Sequence, residues 1–338
     1  MPPRVSVLIP ILNEERNLHD CLTSVVSQDL PPESYEVIVI DTGCTDTSLD
    51  ILQSFAASHP EHTFHRIDAH GANIPSALNL GAKVARGKFI VRVDAKTRPR
   101  RDYVRRCVEL LDRTGAIHVG GTMKAEHPGT LGRVIAFALT HSFGVGNSKH
   151  RVSDNEGEDE GGFLGGFRRA DFLHHGGYDE RFAFAEDDEM SYRLQQRGAK
   201  ILRTPSLQIT YLCRDSLAAL WRQYYRYGFY KQRFFEKYGR LPFIRQYAPV
   251  SFVGGVALLG VLGLFHTSIL AILALALGAY SALGLAIAIP AAIARGSTFL
   301  FLPVVFLTLH LSYGLGSISG LLRFALPAML RRRTWARA

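Results

Sequence analysis

"VSVLIPILNEERNLHDCLTSVVSQ", Val5 to Gln28, is the stretch on which the architecture turns. Val5 to Ile9 is an apolar run of strand length, Pro10 to Asn17 is mostly polar, and Leu18, Cys21, Leu22, Val25 and Val26 then recur at helical spacing. The phrase repeats. "YEVIVID" (Tyr35 to Asp41) is followed by Leu49, Leu52 and Phe55 at helical spacing, and "KFIVRVD" (Lys88 to Asp94) is a further strand. Strands alternating with helices predict an α/β domain with a largely parallel sheet. In such sheets ligands bind beyond the carboxyl ends of the strands, which directs attention to "PILNEERN" (Pro10 to Asn17), "DTGCTDTS" (Asp41 to Ser48) and "DAKT" (Asp94 to Thr97).

Charge along the 338 residues is uneven. Of 39 basic residues only six, all Arg, lie from Pro249 onward, where there is no acid, so the first 248 residues balance 33 basic against 30 acidic residues. A nearly neutral soluble part argues against nucleic-acid binding, which wants a basic face with interleaved aromatics. The four cysteines show no metal-ligand spacing and read as isolated thiols in a reducing compartment. "MPPRVSVLIP" is too short an apolar run for a signal peptide, so the α/β domain is expected to face the cytoplasm.

Gln246 to Ala294 and Gly296 to Leu322 carry no charge, and each exceeds the roughly 20 residues that cross a bilayer. Three spans are expected, about Pro249 to Leu264, Ile269 to Ala291 and Phe299 to Leu321, with "FHTS" (Phe265 to Ser268) as the first turn. Three crossings from a cytoplasmic domain would put the basic C-terminus outside, against the positive-inside tendency. The first span, at about sixteen residues, is therefore the candidate for an interfacial or re-entrant segment.

Asn13, Glu14, Asp41, Asp46 and Asp94 make one polar edge of strand ends. Taken singly, Asn13 and Asp46 read as helix caps and Asp41 as a turn former. A second acidic group, Glu186, Asp187, Asp188 and Glu189 in "AEDDEMSYRL", opens a helix whose dipole favours anions, and crowded acids can raise a carboxylate's pKa toward that of a base. "WRQYYRYGFYKQR" (Trp221 to Arg233) reads as an amphipathic helix with an aromatic belt at a membrane surface. The acidic stretch Asp154 to Glu160 reads as a solvated loop without chemistry.

The first two phrases together with "ALNLGAKVARGKFIVRVDA", in this order, resemble the nucleotide-sugar domain of inverting family 2 glycosyltransferases. Within them, "HSFGVGNSKHR", "GYDERFAFAEDDEMSYRLQQRGAKI" and "WRQYYRYGFYKQR" are similar to membrane-bound succinoglycan-type enzymes, which add glucose to a polyprenyl-diphosphate-linked sugar. The resemblance implies a GT-A domain over residues 1–215 (α/β, Rossmann-like, mostly parallel sheet). It implies an amphipathic juxtamembrane segment over 216–248, a transmembrane region over 249–322 and a basic tail over 323–338. It also implies a UDP-sugar donor, a polyprenyl-diphosphate-linked saccharide acceptor, a lipid bilayer and other glycan-assembly proteins as partners. It implies the cell (inner) membrane as the setting, with the catalytic domain cytoplasmic.

Residue by residue, the resemblance puts the nucleotide sugar against Pro10, Asn13, Glu14, Asp41, Asp46, Asn79 and Asp94. It makes Asp187 the general base, with Glu186 and Asp188 as alternatives, and sets Gly165, Gly166, Gln223, Arg226 and Tyr227 at the acceptor and its diphosphate. Asp94 would be the metal ligand, holding Mg²⁺ or Mn²⁺ against the leaving diphosphate. The pattern breaks at Lys96, which stands where the second acid of an Asp-x-Asp pair belongs. Three readings stay open there: a one-carboxylate metal site, Lys96 pairing with the diphosphate, or binding without turnover. For the whole chain the alternatives are a processive polysaccharide synthase and a non-catalytic nucleotide-sugar-binding scaffold.

Overall fold

The computed structural model describes residues 2–158 and 162–328. The end of the acidic stretch and most of the basic tail lie outside the described residues. The chain forms two compact units, one made of the residues up to Lys124 with Ser148–Leu212, the other of Ala125–Asn147 with the chain from Cys213 onward.

In the first unit the opening phrase folds as β1 (Val5–Ile11) and α1 (Leu18–Val26), followed by β2 (Tyr35–Asp41), α2 (Ser48–Ser58), β3 (Thr63–Asp68), α3 (Ile74–Val84) and β4 (Phe89–Arg92). Then come β5 (Thr97–Pro99), α4 (Tyr103–Thr114), β6 (His118–Gly121), β7 (Met123–Glu126, of which Ala125 and Glu126 belong to the second unit), β8 (Phe163–Arg168), β9 (Ile201–Arg203) and β10 (Ile209–Leu212). The main sheet has seven strands in the order β3-β2-β1-β4-β8-β6-β9, and a small second sheet has the order β5-β10-β7. β1 runs parallel to both β2 and β4, and β2 parallel to β3. β8 is antiparallel to β4 and to β6, so the sheet is mixed but mostly parallel, a GT-A arrangement.

Every side chain of β1, β2 and β4 is buried, as a strand covered on both faces requires. One face packs Val5, Val7, Ile9 and Val37 against Leu18, Leu22 and Leu111; the other packs Leu8, Ile38 and Ile90 against Leu78, Phe167 and Phe172. Two such layers hold the ends of β1, β2 and β4 in fixed register, so the loops beyond them share one edge.

Among the described residues of the second unit three helices are long and apolar enough to cross a membrane: Ile244–Gly263, Thr267–Arg295 and Ser297–Ala328. The first has 20 residues, longer than expected, because helical structure begins before Pro249. That is about the length that crosses the hydrocarbon core of a bilayer. Leu275 is 75% and Ile293 83% exposed, so these helices turn apolar side chains outward. The aromatic-basic segment forms the helix Leu217–Lys231, which packs closely on Leu302–Gly320. A Cβ on Gly228 would strike the Tyr313 carbonyl, and one on Gly316 the Tyr225 carbonyl. Small residues at these positions let the two helices approach each other closely.

Candidate functional site

The loops after β1 and β2 are knitted together by the polar residues that the sequence singles out. Asn13, at φ 53°, uses Oδ1 to accept from Thr45 N at 2.8 Å, and its own N–H donates to Cys44 Sγ at 3.3 Å. Asp46 accepts from Ser48 N at 3.0 Å and from Glu15 N at 3.1 Å, while Glu14 N donates to Ser48 Oγ at 2.8 Å. Asp41 Oδ1 accepts from the backbone N–H groups of Gly43 and Cys44 at 3.0 and 2.8 Å, and Oδ2 from Arg66 at 2.9 Å. Burial pushes the Asp41 carboxyl up, but the Cys44 and Gly43 N–H groups and Arg66 together hold it below the usual carboxylate range. Asp41 therefore stays charged and fully covered, with half-exposed Arg66 in front of it. Pro10 lies within β1, opposite Ile40.

At the end of β4 stands a residue the sequence reading missed. Arg92 donates from Nε to Asp94 Oδ1 at 2.8 Å, from Nη2 to Asp94 Oδ2 at 3.3 Å, and from Nη1 to Glu186 Oε1 at 2.8 Å. One guanidinium thus joins the strand-end carboxylate to the first turn of the helix Glu186–Gln196. Behind it lie the apolar side chains of Leu8, Ile90 and Phe167, and the Tyr178 ring centroid is 5.8 Å from its central carbon. Two residues past Asp94, Lys96 Nζ stands 2.8 Å from Glu14 Oε1.

The four acids of the helix start differ in surroundings. Glu189 is fully buried and paired with Arg193 at 3.0 Å, which is a structural role. Glu186 is buried against Arg92, Asp188 is half-buried, and Asp187 is exposed. Asp187 is thus the most open of the four carboxylates. Burial, helped by the Asp187 charge and opposed by Arg92, pushes Glu186 up to about 7. A carboxyl raised from 4.5 in the unfolded chain to about 7 in the folded one favours folding below pH 4.5, and loses that contribution as pH rises through 7. Melting temperatures followed across this window should fall with rising pH, and Glu186→Gln should flatten the slope; an unchanged slope would refute the assignment.

The remaining candidates fall elsewhere. Asn79 Nδ2 donates to Tyr178 O at 2.9 Å and to Glu180 Oε1 at 3.0 Å, and its Oδ1 accepts from Tyr178 N at 2.8 Å, so it fastens the 178–180 loop. Gly165 and Gly166 sit inside the sheet opposite Arg92 and Val91; Gly165 has φ +114°, and a Cβ there would strike the Val119 carbonyl. Gln223, Arg226 and Tyr227 belong to the second unit, where Gln223 Nε2 donates to Tyr227 Oη at 2.9 Å.

Residues 6–173 match the family model Glycosyl transferase family 2. The succinoglycan biosynthesis protein ExoA of Rhizobium meliloti is 31% identical over 287 residues, covering 82% of this chain and 86% of that protein. The chain belongs to glycosyltransferase family 2. The glycosyltransferase AglE of Haloferax volcanii is 31% identical over 126 residues, 37% of this enzyme and 41% of AglE. Among solved structures, the mannosyltransferase PcManGT of Pyrobaculum calidifontis, in complex with GDP-Man and Mn²⁺, superposes with a TM-score of 0.60. It is 18% identical, covers 95% of this chain and 88% of its own, and shares the fold.

That neighbour holds Mn²⁺, and the residues of this glycosyltransferase fit such an ion poorly. Both oxygens of Asp94 already receive Arg92, and the next polar position carries an ammonium paired with Glu14. Among the described residues no three His, Cys, Asp or Glu side chains gather as a metal-binding group. A hard dication needs anionic oxygens around it, and here two cations occupy the ground beside the one candidate ligand.

Proposed function

We propose that this glycosyltransferase moves a hexose, first of all glucose from UDP-glucose, onto a saccharide carried on a polyprenyl diphosphate, with inversion, in exopolysaccharide assembly. The single observation that carries the reading is the extent of the match to ExoA. At 82% of the chain it is longer than residues 1–248 can hold, so it runs into the apolar helices as well as the α/β unit. In this reading the catalytic unit lies at the cytoplasmic face of the inner membrane, residues 249–322 cross the bilayer, and the aromatic-basic helix offers Arg226 to a lipid-linked diphosphate.

Asp187 takes the proton of the acceptor hydroxyl. That oxygen forms a bond to the anomeric carbon as the bond from this carbon to the diphosphate oxygen breaks, and UDP leaves with the electron pair. Asn13, Glu14, Asp41 and Asp46 form the nucleotide side of the site, and Arg92 holds Asp94 and Glu186 in place. The test is a panel of UDP- and GDP-sugars with lipid-diphosphate acceptors and detergent-solubilised protein, read by mass spectrometry of the lipid product. One added hexose from UDP-glucose is the expected result. A ladder of products would replace the reading by a processive synthase, and nucleotide binding without product by a scaffold.

A further inference from the structure

The strand edge carries three ion-pair groups, and they differ in what they leave for a ligand. Arg66 stands on Asp41, whose other oxygen is held by two backbone N–H groups. Arg92 is spent on two carboxylates at once, in a place with only a tenth of its side chain exposed. Lys96 meets a single carboxylate oxygen, Glu14 Oε1, and 30% of its side chain is open to solvent. An ammonium has three N–H donors, so it can keep Glu14 and take a phosphate oxygen as well.

The backbone under Lys96 is rigid. Asp94 O accepts from Thr97 N at 2.8 Å and from Thr97 Oγ1 at 2.7 Å, closing a tight turn around residues 95 and 96. Immediately beyond, β5 pairs with β10, and Leu212 N donates to Lys96 O at 2.9 Å. Glu14 is fixed too, by its N–H on Ser48 and by Asn17 Nδ2, which donates to Oε2 at 3.0 Å. The movable part is the Lys96 stem, anchored at the end of β4 and reaching the loop after β1.

A nucleoside diphosphate entering this edge brings negative charge among Glu14, Asp94 and Glu186. The edge must supply positive charge against it. Asp94, the carboxylate placed to hold a dication, has both oxygens engaged by Arg92, whereas Lys96 is already in position. We propose that Lys96 supplies the charge that a divalent cation would otherwise bring, so that the enzyme holds the diphosphate of its donor without metal. This rests on the reading of the strand edge as the nucleotide-sugar site.

The experiment is calorimetric titration of UDP, GDP and uridine into the detergent-solubilised full chain, in buffers containing Mg²⁺, Mn²⁺ or EDTA. UDP should bind about equally in all three. Lys96→Ala should weaken UDP by about tenfold or more in each buffer, the loss of one charge-assisted contact, and leave uridine unchanged, which also reports that the variant is folded. Lys96→Asp restores the acid pair with Asp94 and should convert binding to the cation-dependent kind, weak in EDTA and recovered in Mn²⁺. The proposal is overturned if EDTA weakens UDP binding to the native enzyme by tenfold and Mn²⁺ restores it, or if Lys96→Ala treats UDP and uridine alike. Binding of GDP in place of UDP would refute the donor reading alone, with Lys96 then judged on GDP. Binding of neither diphosphate would refute both.

Discussion

Asp187→Asn is expected to lower the rate of hexose transfer by about a thousandfold, within the range that a positioned general base contributes, while UDP binds as before. The expectation follows from the different surroundings of the four acids. Glu189 is committed to Arg193 and Glu186 to Arg92, both in buried places, whereas Asp187 is exposed at the first turn of its helix. Asparagine is nearly isosteric and keeps an acceptor oxygen, so the Asp188 N–H, which donates to Asp187 Oδ1 at 2.8 Å, retains a partner. What is lost is the basicity. The matching control is Asp188→Asn, expected to retain most of the rate because its half-buried side chain is less open to an acceptor. Single-turnover kinetics with radiolabelled donor would separate the two. If Asp187→Asn transfers at the native rate, or if Asp188→Asn shows the larger loss, the general base is misassigned.

Much of this architecture is legible in the sequence where burial is symmetrical. β1, β2 and β4 are apolar runs because both faces of the sheet are covered, and their helices show regular spacing because one face of each is buried. β3, "TFHRID", escapes the same reading: it is an edge strand with partly exposed side chains, so His65 and Arg66 interrupt any apolar signal. β8 is written as "FLGGFR", where close approach of β6 demands glycine, and its antiparallel course leaves no mark on composition. At the site, the acids at the ends of β1, β2 and β4 announce themselves by position, but their cations do not. Arg92 sits in an otherwise apolar strand, and one of its partners, Glu186, lies 94 residues further on. Lys96 could be recognised as a departure from an acid pair, yet its pairing with Glu14 needed the fold.

Arg92→Met is expected to destabilise the α/β unit by about 3–5 kcal/mol, the range for removing one partner of a buried ion pair. The cost arises less from the lost attraction than from what remains: Glu186 and Asp94 would face an apolar wall with no cation between them. The pH dependence then has a definite sign. Glu186 is already pushed up to about 7, chiefly by burial, and Arg92 is the largest influence opposing that rise. Without Arg92 the carboxyl titrates higher still, so acidification from neutral pH should recover more stability in Arg92→Met than in the native enzyme. Adding Glu186→Gln removes the orphaned charge and should return a large part of the loss; Arg92→Lys should not, since one ammonium cannot reproduce the forked contact with two carboxylates. Thermal unfolding of the four proteins between pH 5 and pH 8 gives the comparison. Equal melting temperatures for the native enzyme and Arg92→Met, or a double variant no better than Arg92→Met, would mean that the guanidinium is a passive filler and that the link between Asp94 and the helix Glu186–Gln196 contributes nothing to holding the α/β unit together.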